Sequence, residues 1–214
     1  MTPRHIKELF SRLAANDPEP ATELRYATPY QLLVAVLLSA QATDKGVNRA
    51  TEALFQAAPD PAAMLRLGID KLEHYIKSIG LYKTKARHIM AMSELLLERH
   101  GGVVPNDRAA LQSLPGVGRK TANVVLNVVF QEPTIAVDTH IFRVANRTGL
   151  APGKTPDAVE DQLIKVVPKT YRLHAHHWLI LHGRYVCKAR KPECWQCQIA
   201  DLCQYGDKTP APMS

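Results

Sequence analysis

Apolar side chains recur along this chain at helical spacing, and proline repeatedly cuts the pattern into short lengths. Val159, Leu163, Val166 and Val167 fall at i, i+4, i+7 and i+8, and Val124, Val125, Val128 and Val129 form a second face of that kind. Pro29, Pro59, Pro61, Pro105, Pro115, Pro133, Pro152, Pro156 and Pro168 stand where helices should begin or end, since proline fits the first helical turn and breaks the interior. In Thr155-Pro156-Asp157 a capping hydroxyl precedes a proline at the first helical position, and an acid follows near the positive helix end. Strand-type alternation is scarce. The pattern predicts an all-α fold with short helices near 3–16, 29–39, 44–57, 61–67, 70–78, 83–99, 107–113, 119–130, 139–146, 156–167 and 171–185. The stretch over 29–39 is apolar nearly all round, which marks a central, buried helix.

Hydrophobic residues make up 46% of the 214, too many for a disordered chain and enough to bury a core. The longest apolar run, Leu32 to Leu38, falls far short of the roughly 20 residues that cross a bilayer, so no membrane association is expected. Charges are mixed throughout the N-terminal MTPRHIKELFSRLAAN, with no cleavable apolar segment, and this points to the cytoplasm. A net charge of +7 favours an acidic partner through counterion release but does not by itself decide for nucleic acid. No heptad seam calls for oligomerisation, so a monomer is expected.

An internal repeat stands out when Ser78-Ile79-Gly80-Leu81-Tyr82-Lys83-Thr84-Lys85-Ala86 is laid over Ser113-Leu114-Pro115-Gly116-Val117-Gly118-Arg119-Lys120-Thr121-Ala122 with one gap. Each half predicts a helix, a glycine turn and a helix that starts with basic residues, a paired device for gripping a phosphate backbone. Gly116 and Gly118 let the backbone turn and approach a ligand, and the free amides of a helix start bind anions. This is not a Walker loop, whose glycine-to-lysine spacing is absent, nor a dinucleotide fingerprint, which needs a preceding strand.

Cys187, Cys194, Cys197 and Cys203 are the only cysteines, spaced Cys-x6-Cys-x2-Cys-x5-Cys. In a reducing compartment they predict one site of four thiolates around a metal rather than disulfides. Zinc sites usually show two close pairs, and only Cys194 and Cys197 make one here. His174, His176, His177 and His182 are read as packed or capping groups on a helix carrying Trp178, Leu179 and Leu181, not as a second metal site.

LPGVGRKTANVVL has the form of the helix-hairpin-helix motif of DNA repair proteins, and together with VDTHIFRVANR it resembles the endonuclease III family. The resemblance continues through LLSAQATD, IGLYKTKA, WLILHGRYVC and the cysteine tail, and so covers nearly the whole chain. It implies a two-lobed helical fold with the active site in a cleft between lobes, one lobe over 22–132 and the other from 1–21 plus 133–214. The cysteine spacing matches the family's 4Fe-4S loop over 187–203. A cluster with four thiolates keeps a net negative charge, which Arg184, Lys188, Arg190 and Lys191 are placed to offset.

By that resemblance Lys120 is the nucleophile that attacks C1′ of a damaged nucleotide, and Asp138 is its catalytic partner. An amine attacks only when neutral, a form that a positive helix end and partial burial favour. From its position alone Asp138 is an N-cap, a role compatible with the catalytic one. An enzyme acting at C1′ must extrude the nucleotide and fill the gap. Gln41 and Leu81 match the family's filling residues. Lys83, Lys85, Arg87 and Arg119 become candidates for the DNA backbone, with Gly116, Val117, Gly118, His140 and Arg184 completing the expected interface. The implied activity is a bifunctional DNA glycosylase and AP lyase of base excision repair. It would remove oxidised or ring-saturated pyrimidines from duplex DNA and cleave 3′ to the abasic site, acting on the chromosome. The alternatives are a monofunctional adenine-type glycosylase, which lacks the lysine, and a non-catalytic DNA-binding iron–sulfur protein.

Overall fold

The computed structural model describes residues 1–212. Among them there is no β-strand, and no helix is long and apolar enough to cross a membrane. Two compact units form: Thr22–Gln131, and Met1–Ala21 together with the chain from Glu132 onward.

The continuous unit holds α2 (Pro29–Ser39), α3 (Asp44–Ala57), α4 (Pro61–Leu67), α5 (Ile69–Ile76), α6 (Tyr82–His100), α7 (Arg108–Gln112) and α8 (Arg119–Phe130). Its starts follow local chemistry. Thr28, Thr43, Asp60 and Asp107 each accept a hydrogen bond from a backbone amide in the first turn, and proline fills an early position in α2 and α4, where its missing N–H costs nothing. As its composition requires, α2 is central: every residue from Tyr30 to Leu38 is buried, and α3, α6 and α8 pack around it. The second valine face is only partly inward, with Val124 and Val125 buried and Val128 and Val129 half-buried.

In the other unit α1 (Pro3–Asn16) joins α9 (Thr139–Thr148), α10 (Pro156–Val166) and α11 (Arg172–Tyr185). Leu9, Phe10, Ile141, Val144, Leu163 and Leu179 build its core, while the Trp178 indole nitrogen donates to Asp17 O at 2.8 Å. Gly183 lets α11 approach α9, since a Cβ there would stand 2.8 Å from His140 Cβ.

The differing ends of α6, α7, α10 and α11 lie one residue from expectation, and those of α5 and α9 have a visible local cause. Expected to end near 146, α9 runs to Thr148, where Gly149 at φ 73 closes it in the left-handed region. Gly68 at φ 82 starts α5 one residue early, and α5 stops at Ile76 rather than 78, where the Ile79 amide bonds back to Ile76 O.

Candidate active site and metal centre

Lys120 is the second residue of α8, whose N-cap, Gly118, offers no side-chain hydrogen bond. The first amides of that helix thus meet no capping side chain, the arrangement that receives an anion. Lys120 is exposed, not partly buried as expected, because α8 turns its Ala122–Asn127 stretch inward and leaves its first turn at the surface.

The two hairpin glycines do different work. Gly116 has φ +78, and a Cβ there would lie 2.9 Å from His88 Cβ and from Leu37 Cδ1. Both the turn and the packing need it. Gly118 has φ −88 and nothing within 4 Å of its missing Cβ, so its bareness serves the open side rather than the fold. Val117 points the other way. Its side chain is buried and its amide donates to Leu114 O at 3.1 Å, which leaves it a packing role and corrects its place in the expected interface.

The expected repeat is a repeat of layout, not of backbone. In the second turn the left-handed residue is Gly116, two before the cap, whereas in the first it is Leu81 itself, the cap of α6, at φ 58 and ψ 29. Leu81 is 67% exposed, an apolar side chain pushed into solvent on a strained backbone. Gln41 is also exposed and also left-handed, at φ 57. Among the described residues only four non-glycine positions have positive φ, and two of them are these. Such strain persists at functional sites because surrounding structure holds it.

Lys83 and Arg87 are exposed and Arg119 half-buried. Lys85 is not a surface cation: it is buried, and its ammonium donates to Leu38 O and Ala40 O. Burial pushes it below its ordinary value. The expected backbone contact is therefore corrected, because the ammonium is taken up by carbonyls at the end of α2.

Asp138 is the N-cap of α9: its Oδ1 accepts from the Ile141 amide at 2.8 Å. The cap uses one carboxylate oxygen. His140 is half-buried on the same helix, its Nδ1 3.2 Å from Arg143 Nη2. Arg143 then donates to Gly183 O at 2.7 Å and Cys187 O at 2.9 Å. Arg184 is half-buried on α11.

All four cysteines are free, half-buried and line one cavity. Burial pushes the Cys197 thiol up to about 11, with the other three cysteines adding in the same direction, so unpaired thiolates do not suit this place and metal-bound ones do. No group of three or more His, Cys, Asp or Glu among the described residues is gathered to hold a single ion. A cluster whose ligands sit on separate irons does not need that convergence, so the cavity fits four Fe–S bonds.

The neighbours of this cavity were invisible to local spacing. Arg147 Nη1 approaches Cys187 Sγ at 3.7 Å and donates to Lys188 O at 2.7 Å, Nη2 donates to Ala189 O at 3.0 Å, and the guanidinium lies 4.7 Å from the Tyr205 ring centroid. His182 Nε2 lies 3.7 Å from Cys197 Sγ. Of the cations expected to offset the cluster, Lys188 is instead paired with Glu193, and Arg190 and Lys191 are exposed. Arg147 and Lys208 line the cavity. One signal was readable: Arg143 and Arg147 share a face of α9, with no acid on that helix to pair them. Of the remaining histidines, His174 packs on Trp178 at 5.5 Å between centroids, and His176 on His177 at 5.0 Å.

Residues 34–169 match the HhH-GPD superfamily of base excision DNA repair proteins, and residues 187–203 match the iron–sulfur binding domain of endonuclease III. Endonuclease III of Escherichia coli K12 is 60% identical over 201 residues, 94% of this chain and 95% of its own. The chain belongs to the endonuclease III family. Endonuclease III of Haemophilus influenzae is 59% identical over 94% of this chain and 95% of its own. A solved structure described as a trapped endonuclease III–DNA covalent intermediate superposes with a TM-score of 0.90 at 42% identity, covering 95% of this chain and 96% of the other. A thermostable thymine-DNA glycosylase shares the fold, with a TM-score of 0.83 at 24% identity over 94% of this chain and 96% of its own. An endonuclease III-family chain carries a 4Fe-4S cluster, and Cys187, Cys194, Cys197 and Cys203 are the residues here that would hold it.

Proposed function

We propose that this DNA glycosylase and AP lyase of base excision repair removes oxidised or ring-saturated pyrimidines from duplex DNA, with Lys120 as nucleophile and Asp138 as its partner. The observation that carries the assignment is Lys120 itself, an exposed amine on the uncapped first turn of α8, directly after a hairpin whose Gly118 is open to a close neighbour. The solved relative trapped covalently on DNA supports a covalent step.

In that step the neutral Lys120 nitrogen forms a bond to C1′ as the bond from C1′ to the base breaks, and the base leaves with a proton. Opening of the sugar gives a protonated Schiff base. Loss of a proton from C2′ then expels the 3′ phosphate oxygen, and water releases Lys120. The Asp138 carboxylate offsets positive charge developing on the sugar and accepts and returns protons. Leu81 replaces lost stacking and Gln41 pairs with the orphaned base, while Gly116, Gly118, Lys83, Arg119, His140 and Arg184 serve the backbone. Damaged, poorly stacked bases are the easiest to extrude. When bound, the cluster supplies four Fe–thiolate bonds that hold residues 187–203 in one shape. The enzyme works as a monomer on chromosomal DNA in the cytoplasm.

Borohydride trapping on duplex DNA containing thymine glycol tests the assignment. A damage-dependent covalent adduct, lost in Lys120→Gln, is the expected result. An equal adduct from the variant, or none from cluster-loaded protein on thymine glycol or abasic DNA, would refute it.

A further inference from the structure

A lysine inside a helical core gives up water for its ammonium and must recover the cost in specific bonds. Lys85 is 6% exposed. Its Nζ donates to Leu38 O at 2.9 Å and to Ala40 O at 2.6 Å, carbonyls at the end of α2, whose C-cap is Ala40. Such carbonyls have no following helical turn to bind, and a cation there meets the negative end of the helix. The chain beyond is a tight turn. Ala42 N donates to Ser39 O at 3.0 Å, Ala40 sits at φ −56 and ψ 116, and Gln41 at φ 57, together a type II turn. Glycine or asparagine suits the third position of such a turn, and here it is glutamine.

The same residue is tied to the other strained position. The Lys85 amide donates to Leu81 O at 3.0 Å, opening the hydrogen-bond ladder of α6. One residue thus grips the Gln41 turn with its side chain and the Leu81 cap with its main chain, although Gln41 and Leu81 lie on separate segments of the fold.

We propose that Lys85 is a positioning residue for duplex opening, which fixes the Gln41 turn relative to Leu81 so that both side chains enter the base stack as one rigid pair. This rests on the gap-filling role proposed for those two residues. A lysine that only held α2 to α6 would, when removed, depress every activity alike.

The test uses cluster-loaded protein and two substrates: thymine glycol in duplex DNA, whose excision needs the stack opened, and an abasic site in single-stranded DNA, whose scission does not. Lys85→Met keeps much of the volume and loses the donors. It should lower single-turnover excision on the duplex by about tenfold or more while single-stranded scission stays within about twofold. Lys85→Arg retains a cation with a different reach and should show the same split to a smaller degree, which keeps the question open to decision if the methionine variant does not fold. Combined with Gln41→Ala, Lys85→Met should lower duplex excision no further than the worse single change, because both act through one insertion. Equal losses on the two substrates, independent losses in the double variant, or an unchanged duplex rate would overturn the proposal. Gln41→Ala and Leu81→Ala alone separate the two levels. If neither impairs duplex excision, the gap-filling role falls and this inference with it; if they do and Lys85→Met does not, this inference alone falls.

Discussion

Replacing Asp138 by asparagine and by alanine should separate two roles that one carboxylate performs. Its Oδ1 accepts from the Ile141 amide at 2.8 Å and so caps α9, the helix from which Arg143 and Arg147 reach the cluster loop. Asparagine caps as well as aspartate does, whereas alanine leaves a first-turn amide unpaired, at a cost of about 1 kcal/mol within a range of 0.5–2. Loss of the charge near the positive helix end costs both variants a further ~0.3–1 kcal/mol. At about 2–4 °C per kcal/mol for a chain of this size, Asp138→Asn should melt within a few degrees of the parent and Asp138→Ala clearly lower. Base excision should behave differently, falling in both by about 100-fold or more because each has lost the carboxylate. Thermal melts followed by circular dichroism, beside single-turnover excision of thymine glycol, measure the two effects on the same samples. Equal melting of the two variants would show that the cap does not carry the stability assigned to it. Excision by Asp138→Asn at the parent rate would remove the catalytic role.

Gly116→Ala should destabilise the protein, since both φ +78 and three 2.9 Å contacts with His88 and Leu37 oppose a Cβ. Gly118→Ala should fold with a near-parental melt yet bind duplex DNA more weakly in a fluorescence titration; unchanged affinity would take Gly118 out of the interface. Burial holds His177 at about 4 against its ordinary 6.5, with His174 acting the same way and Asp17 opposing. The unfolded chain therefore gains a proton in that window while the native protein does not, and the stability present above it is lost as pH falls. Between about pH 7 and 5 this amounts to about 2 kcal/mol. Neither ring nitrogen of His177 has a hydrogen-bond partner, so His177→Phe should fold and flatten the pH dependence of urea midpoints, and an undiminished slope would assign it elsewhere. Arg147→Met removes charge-assisted bonds to Lys188 O and Ala189 O, each worth about 1.5–3 kcal/mol. Iron content and visible absorbance per chain should drop, and full retention of both would show that the loop does not depend on Arg147.

Most helix boundaries were legible because caps are local. Thr28, Thr43, Asp60, Asp107, Asp138 and Thr155 each bond an amide within three residues, so a short stretch of sequence carries the whole instruction. The all-apolar stretch over 29–39 announced a buried helix in the same way, and the four cysteines with the hairpin pointed to one metal loop and one DNA-binding turn. What local order could not supply was which charges face inward. Lys83, Lys85 and Arg87 look alike along the chain, yet packing of α6 leaves Lys83 and Arg87 in water and carries Lys85 to the end of α2, because its ammonium meets carbonyls 45 and 47 residues away in sequence. The basic residues beside Cys187 looked like the cluster's counter-ions until α9 brought Arg147 to that loop from 40 residues upstream. Periodicity and caps are written in neighbouring residues, so sequence by itself determined the helices and the cysteine loop. The partners of a buried charge are set only when distant segments close on it, and those the tertiary structure decided.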